Sequence, residues 1–213
     1  MKNIFLISFI VIIQPFAFGQ IDIDLIKNNV TENPTDNYFP LLEIFKINPS
    51  KLTQGELNQL YYGSKFIRPS DSKVKFDENF EKIFPKVNKK ISKGKAKKFL
   101  NEAEIYYQKS PMDKVVLTAM INIYEALKNE DKYQLSLRQL NLILNTIEQS
   151  GDGKSEKTAI CVINPADQLS MISRLGKSRD FNQEFKQLSD GSILWIYSSE
   201  NKKIFAKLVG GFY

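Results

Sequence analysis

The chain has 213 residues, of which 42% are hydrophobic and 25% charged, and its formal net charge is +6. This length is enough for one large domain or two small lobes. The chain contains no histidine and a single cysteine, which excludes Ser-His-Asp and Cys-His catalytic sites, intramolecular disulfides and the usual zinc centres.

Residues 1–19 have the pattern of a secretory signal peptide. Lys2 precedes an apolar run over residues 4–13, and Ala17-Phe18-Gly19 places small residues at the cleavage positions. The run is too short to span a bilayer, which takes about 20 apolar residues. The sequence therefore predicts cleavage after Gly19, a mature protein that is periplasmic or secreted, and no transmembrane segment after cleavage.

The mature chain is predicted to form a helical region over residues 20–150 and a sheet region over residues 151–213, packed as one unit. Asp22 and Asp24 suit the start of a first helix, where the helix dipole favours negative charge. Residues 31–37 are polar and contain Pro34, so they are predicted to be a loop. A second apolar element follows over residues 38–45.

The stretch 52–66 has the best-defined helix start in the chain. Thr53 and Glu56 have the spacing of a capping box, in which each side chain satisfies the other's backbone N–H. Adjacent residues on a helix point about 100° apart, so we expect one of Tyr61 and Tyr62 to pack inward and the other to be half-exposed. The alternative is that Tyr61, Tyr62 and Trp195 contribute to a binding surface.

This stretch also carries a resemblance to a known family. The residues are Leu52-Thr53, Glu56 and Leu60-Tyr61-Tyr62-Gly63, supported by Asp24 and by Ser150-Gly151-Asp152-Gly153 before a hydrophobic strand. Together they resemble the bacterial family called domain of unknown function 4919. Lys203-Ile204-Phe205-Ala206 departs from the tyrosine-rich final strand expected of that family. The resemblance implies export and helices followed by strands, and it implies no activity.

A lysine-rich run follows a helix predicted over residues 76–84. Phe76, Phe80, Ile83 and Phe84 share one face of that helix, and Pro85 is expected to end or kink it. The run consists of Lys86, Lys89, Lys90, Lys93, Lys95, Lys97 and Lys98. It lacks arginine and regularly spaced aromatic residues, so the sequence does not favour nucleic acid as a partner. A solvated face or linker is predicted, with binding to an anionic surface as the alternative.

Three further helices are predicted between the lysine-rich run and residue 150. The first covers residues 96–109, and the second begins with Ser110 as its cap, followed by Pro111. The third presents Leu137, Leu140, Leu144 and Ile147 on one face. The short links predict antiparallel helical hairpins with tetratricopeptide-like packing, although no repeat of about 34 residues is present.

The last part of the chain is predicted to be a small antiparallel β-sheet with one short helix. Gly151 is expected to stop the preceding helix in a left-handed conformation. Strands are predicted near residues 158–163, 181–188, 193–197 and 204–209, the third being central because it is apolar on both faces. Asn164-Pro165 begins the short helix, which bears Leu169, Ile172 and Leu175. The predicted fold class is α+β.

The motifs indicate no catalytic, cofactor or metal site. Gly151-Asp152-Gly153-Lys154-Ser155 imitates a phosphate-binding loop, but that motif requires glycine where Glu148 stands and a strand where a helix is predicted. The sequence favours an exported, non-catalytic interaction or envelope-associated module that binds a protein or peptide. The alternatives are a carboxylate-dependent hydrolase acting on glycan, and a binder of anionic surfaces through the run Lys86–Lys98.

Overall fold

The computed structural model describes residues 21–67, 78–168, 182–199 and 202–211. Helices come first and strands last, which confirms the α+β class. The helices are α1 (Ile23–Glu32), α2 (Pro34–Asn37), α3 (Phe39–Ile47), α4 (Gln54–Gly63), α5 (Glu78–Val87), α6 (Lys93–Lys109), α7 (Lys114–Leu127) and α8 (Glu130–Glu148). The strands are β1 (Ile160–Val162), β2 (Asn182–Gln187), β3 (Ile193–Ser199) and β4 (Lys202–Leu208).

Some predictions concern residues, or side chains within a helix, that the structure does not describe. They are the signal peptide over residues 1–19, the side chains of Phe76 and Phe80, and the short helix bearing Leu169, Ile172 and Leu175. The described part shows a helical turn at residues 165–168, where that short helix was predicted to begin.

The first two helices begin in different ways. The Asp22 carboxylate accepts the Leu25 N–H at 2.9 Å and begins α1. The prediction of a loop over residues 31–37 is wrong, because Pro34 begins the short helix α2. Proline is tolerated at a first helical position, where its missing N–H would have had no intrahelical partner.

Helix α4 begins with the predicted capping box. The Thr53 hydroxyl accepts the Glu56 N–H at 3.3 Å, and the Glu56 carboxylate accepts the Thr53 N–H at 2.7 Å. Two of the N–H groups that a helix start leaves unpaired are thereby satisfied.

The lysine-rich run joins α5 to α6. Pro85 does not end α5, which continues to Val87. All seven lysines of the run are exposed, whereas Val87 between them is fully buried. Ser92 caps α6, so four of the lysines lie on the first turns of that helix.

Helices α6, α7 and α8 form the hairpins that the short links predicted, with α7 packed against both of the others. The cap of α7 differs from the prediction. Asp113 caps it by accepting the N–H groups of Val115 and Val116 at 2.7 and 3.1 Å, while Ser110 ends α6. Serine and aspartate are comparable caps, and here the Asp113 side chain is the one that reaches two free N–H groups of the first turn.

Helix α8 buries only Ile147 of the predicted stripe completely. Leu137, Leu140 and Leu144 are half-buried, whereas Ser136, Gln139, Ile143, Thr146 and Ile147 are buried. The reason is that α8 packs against α7, α4 and β1 at once. Its buried hydroxyls are satisfied within the helix, since Ser136 donates to the Lys132 carbonyl at 2.9 Å and Thr146 to the Leu142 carbonyl at 2.8 Å.

The sheet has the strand order β1-β4-β3-β2. The predicted hairpin is present, with Ser199 paired to Lys202, and β3 is a central strand. Strands β2, β3 and β4 are antiparallel, but β1 runs parallel to β4, so the sheet is mixed rather than wholly antiparallel. The chain between β1 and β4 is long enough for the crossover that a parallel pair requires.

The loop after α8 packs against the sheet. Gly151 is not left-handed as predicted; that conformation belongs to Gly153, with φ of 66°. Glycine is required at position 151 for a different reason, because a Cβ there would collide with the carbonyl oxygen of Thr158. The Gly153 carbonyl accepts the N–H of Phe205 on β4 at 2.9 Å, which fixes the loop to the sheet.

The buried apolar residues form two clusters. The first joins α1, α3, α4 and α8 to the sheet and includes Phe45, Leu60, Ile147, Trp195 and Ile204. The second lies among α5, α6 and α7 and includes Phe84, Ala103, Met120 and Ile123. Tyr107 packs against both clusters. The region around it is therefore the boundary between the two clusters, which we call the seam.

Candidate binding pocket

The three residues predicted as a possible binding surface lie in the core. Tyr61, Tyr62 and Trp195 are 1%, 0% and 4% exposed. The expectation that one tyrosine is half-exposed is wrong, because α4 is enclosed by α1, α3 and α8 and so buries more than one face. These side chains offer almost no accessible area, and the geometry does not support a binding surface made of them.

The two tyrosines instead connect distant parts of the chain. The Tyr61 hydroxyl donates to the Asp167 carboxylate at 2.9 Å, and Lys114 lies 3.1 Å from the other oxygen of that carboxylate. The Tyr62 hydroxyl donates to the Cys161 carbonyl at 3.0 Å. Burial raises the pKa of both hydroxyls well above the usual value, so both remain protonated donors. The cluster ties α4 to α7 and to the start of the sheet region.

Cys161 is unsuited to nucleophilic chemistry. Its side chain is buried, and burial raises the pKa of the thiol to about 11. The thiolate is the reactive form of cysteine, and it is scarce at neutral pH with such a pKa. Cys161 therefore acts as a small apolar core residue.

A pocket of about 480 Å³ lies between α6 and α8, at the seam of the two clusters. Each helix contributes four residues at the spacing i, i+3, i+4, i+7, which places them on one helical face. These are Asn101, Glu104, Ile105 and Gln108 on α6, and Lys132, Leu135, Ser136 and Gln139 on α8. Met120 and Tyr124 of α7 line the pocket between them, and Lys46 and Tyr107 complete it.

A compact ionic group forms one wall of the pocket. A single Glu104 carboxylate oxygen accepts from the Tyr124 hydroxyl at 2.9 Å and from the Lys132 ammonium at 2.8 Å. Lys132 also lies 5.2 Å from the centre of the Tyr124 ring, within cation–π range. The hydrogen bond from Lys132 lowers the pKa of Glu104, so this carboxylate is ionised and fixed at neutral pH.

Gln139 forms the opposite, buried wall and is 1% exposed. Its amide nitrogen donates to the Phe45 carbonyl at 2.8 Å and to the Tyr107 hydroxyl at 2.7 Å. Its Oε1 has no hydrogen-bond partner among the described residues. This oxygen is itself inaccessible, so leaving it unpaired costs the fold about 1–3 kcal/mol and provides no contact for a ligand.

Apolar periodicity does not reveal the pocket, because most of its lining residues are polar. The available signal was polar: two nearby helices carry amide and charged residues at matching i, i+3, i+4, i+7 positions. A polar stripe shows which residues share a helical face. It does not show which two faces lie opposite each other, because the placement of α7 between α6 and α8 depends on tertiary packing.

The described residues contain no group of three histidine, cysteine, aspartate or glutamate side chains placed to hold a metal ion. Within the same ranges, no helix combines the length and apolar character needed to cross a membrane.

Neither a curated protein nor a solved structure matches the chain. The sequence profile of the family described as Domain of unknown function (DUF4919) matches residues 24–191, from α1 to the turn before β3. This confirms the resemblance indicated by the Thr53 to Gly63 stretch, and the chain belongs to the DUF4919 family.

Proposed function

We propose that the protein is an exported, non-catalytic module that binds a short extended peptide segment of a partner protein in the pocket between α6 and α8. The observation that carries the proposal is the pair of matched helical faces that line the pocket, one on α6 and one on α8. Clefts between helices are common sites for ligands and partner segments.

The dimensions of the pocket fit a peptide. A face running from i to i+7 is about 10 Å long at 1.5 Å per residue. An extended chain rises about 3.3 Å per residue, so about three residues fit along the faces. The pocket thus has room for a tripeptide segment with the flanking chain outside it.

The lining chemistry matches an extended backbone. Such a backbone carries N–H donors for the exposed side-chain oxygens of Asn101 and Gln108. It also carries carbonyl acceptors for the exposed side-chain amides of Asn101 and Gln108. Ile105 and Leu135 add apolar contacts for a side chain of the ligand.

The glycan hydrolase alternative receives no such support. Glycoside hydrolysis generally uses two carboxyl groups on either side of the bond that is cut. Glu104 is the one carboxylate among the described lining residues, and it is already engaged by Lys132 and Tyr124.

The binding proposal can be tested with an array of random hexapeptides probed with the purified protein. Asn101→Ala should weaken the strongest interactions at least fivefold, because the amide contacts the bound backbone. Asn141→Ala is the matched control, since Asn141 is an exposed asparagine on α8 that does not line the pocket. Equal affinity of both variants and the wild type for the selected peptides would contradict the proposal.

Export is supported by the signal-like pattern of residues 1–19 and by the family resemblance. Mass spectrometry of the fractionated protein should find Gln20, in its free or cyclised form, at the N-terminus. An intact Met1 on the protein recovered outside the cytoplasm would show that this segment is not removed.

A further inference from the structure

Strand β2 is an exposed sheet edge. It lies at the end of the strand order and, among the described strands, pairs with β3 alone. All six of its residues are exposed, including Phe185 at 70%. Edge strands that expose an apolar residue are templates for pairing with another chain.

The register of β2 on β3 shows which backbone groups are free. The Leu188 N–H donates to the Ser192 carbonyl at 2.8 Å, which makes 188 and 192 a hydrogen-bonded pair. Such pairs alternate along an antiparallel ladder, so residues 182, 184 and 186 direct their backbone groups toward β3. Gln183, Phe185 and Gln187 direct theirs away from the sheet.

We propose that β2 pairs antiparallel with β2 of a second copy of this chain, about a two-fold axis at Phe185. Gln183, Phe185 and Gln187 then exchange backbone hydrogen bonds with the other copy. Phe185 lies opposite its counterpart, and Glu184 lies opposite Lys186 on both sides of the axis. The same surface is used by both copies, as a closed two-fold interface requires.

The charge pattern fits this register. Glu184 and Lys186 occupy non-hydrogen-bonded positions of the new pair, where facing side chains lie closest and opposite charges are most favourable. An axis at Glu184 or at Lys186 would place like charges opposite each other. It would also centre the pair on residues whose backbone groups already face β3.

The apolar pattern fits as well. Phe185 pairs with Trp195 on β3, and paired residues lie on the same face of a sheet. Trp195 is part of the core, so the two Phe185 rings would extend the core faces of both sheets toward each other. An edge pairing of six-residue strands is a small interface, and such interfaces give weak, concentration-dependent association.

Sedimentation of the protein from Gln20 onward tests the proposal. The wild-type mass should rise from that of one chain to that of two across a concentration series. Glu184→Lys and Lys186→Glu should each weaken association at least tenfold, since each places like charges opposite on both sides of the axis. An equal mixture of the two variants should associate again, because lysines of one then face glutamates of the other.

The control is Glu156→Gln. Glu156 binds Lys186 within the same chain at 2.7 Å, and its neutralisation should leave the dimer intact while circular dichroism confirms the fold. A wild type that stays at the mass of one chain up to millimolar concentration would overturn the proposal. So would single variants that associate as the wild type does, or a mixture no better than its components.

Discussion

At the scale of single residues, the Tyr61–Tyr62 pair shows how much depends on what surrounds a helix. Two adjacent residues cannot share one helical face, which is correct as local geometry. The inference that one must be exposed assumed a helix with one buried face. Helix α4 is enclosed by several partners, and each tyrosine finds its own buried acceptor.

The different acceptors lead to a prediction for the two hydroxyls. Tyr61→Phe should destabilise the fold by about 1.5–3 kcal/mol, because it removes a hydrogen bond to the carboxylate of Asp167. Tyr62→Phe should cost only about 0.5–1.5 kcal/mol, because its acceptor is a neutral carbonyl. Urea unfolding of the two variants measures both. The reverse order would show that Asp167 does not depend on Tyr61.

The capping box of α4 gives a second prediction at this scale. Thr53→Ala should lower the free energy of unfolding by about 1 kcal/mol, as the loss of an N-cap does. Thr31→Ala is a matched control, since Thr31 is exposed near the end of α1, and it should change stability by less than about 0.5 kcal/mol. Equal effects in the same urea experiment would mean that the box contributes nothing.

The buried thiol of Cys161 should make the free energy of unfolding depend on pH. Burial raises the pKa of the thiol from 9.0 to about 11 in the folded protein, so its contribution to stability is complete below pH 9. The unfolded chain loses this proton first as the pH rises, and the contribution is lost by about pH 11. Between these pH values the free energy of unfolding of the wild type should fall, relative to that of Cys161→Ala, by on the order of 1 kcal/mol per pH unit. Urea unfolding at intervals from pH 8 to 11 measures the difference, and parallel curves would contradict it.

At the scale of elements, features fixed by neighbouring residues were predicted and features fixed by packing were not. The capping box and the β3–β4 hairpin follow from short stretches of sequence, and both are present. The buried stripe of α8 and the orientation of β1 depend on which elements lie alongside. Leu140 and Gln139 show why the sequence does not predict this stripe. Leu140 is apolar and was expected to be buried, but the position of α8 among its partners buries Gln139 instead.

The pocket is subject to the same limit. Its α6 and α8 faces are each recognisable as polar helical stripes, but the sequence gives no measure of the gap between them. The unpaired oxygen of Gln139 is visible only once the Phe45 carbonyl and the Tyr107 hydroxyl are seen to occupy the amide nitrogen.

At the same scale, we expect the lysine-rich run to contribute little to stability and not to bind anionic surfaces. Replacing Lys90, Lys93 and Lys97 together by glutamine should change the free energy of unfolding by less than about 0.5 kcal/mol, because all three are exposed. The wild type should also elute from a heparin column without retention at physiological salt, and it should not bind anionic vesicles under the same conditions. Retention that the triple variant loses would establish the run as a site for anionic surfaces.

At the scale of the whole molecule, the first apolar cluster joins the helical region to the sheet region. We therefore expect residues 20–150 and 151–213 to unfold as one unit. Trp195 is the chain's one tryptophan and lies in β3, so its fluorescence reports on the sheet, while far-ultraviolet circular dichroism reports mainly on the helices. The two signals should give the same urea midpoint. Separate midpoints would show two independently stable regions.

The strand order has a consequence for the time at which this protein becomes folded. Strand β4 follows β1, β2 and β3 in the chain, yet it lies between β1 and β3 in the sheet. A chain that emerges from a ribosome or a translocation channel cannot close the sheet, or the apolar cluster beneath it, until β4 has appeared. Pairings between distant segments also form slowly. The topology thus keeps the emerging chain unfolded for longer, and an unfolded chain is what the proposed export across a membrane would require.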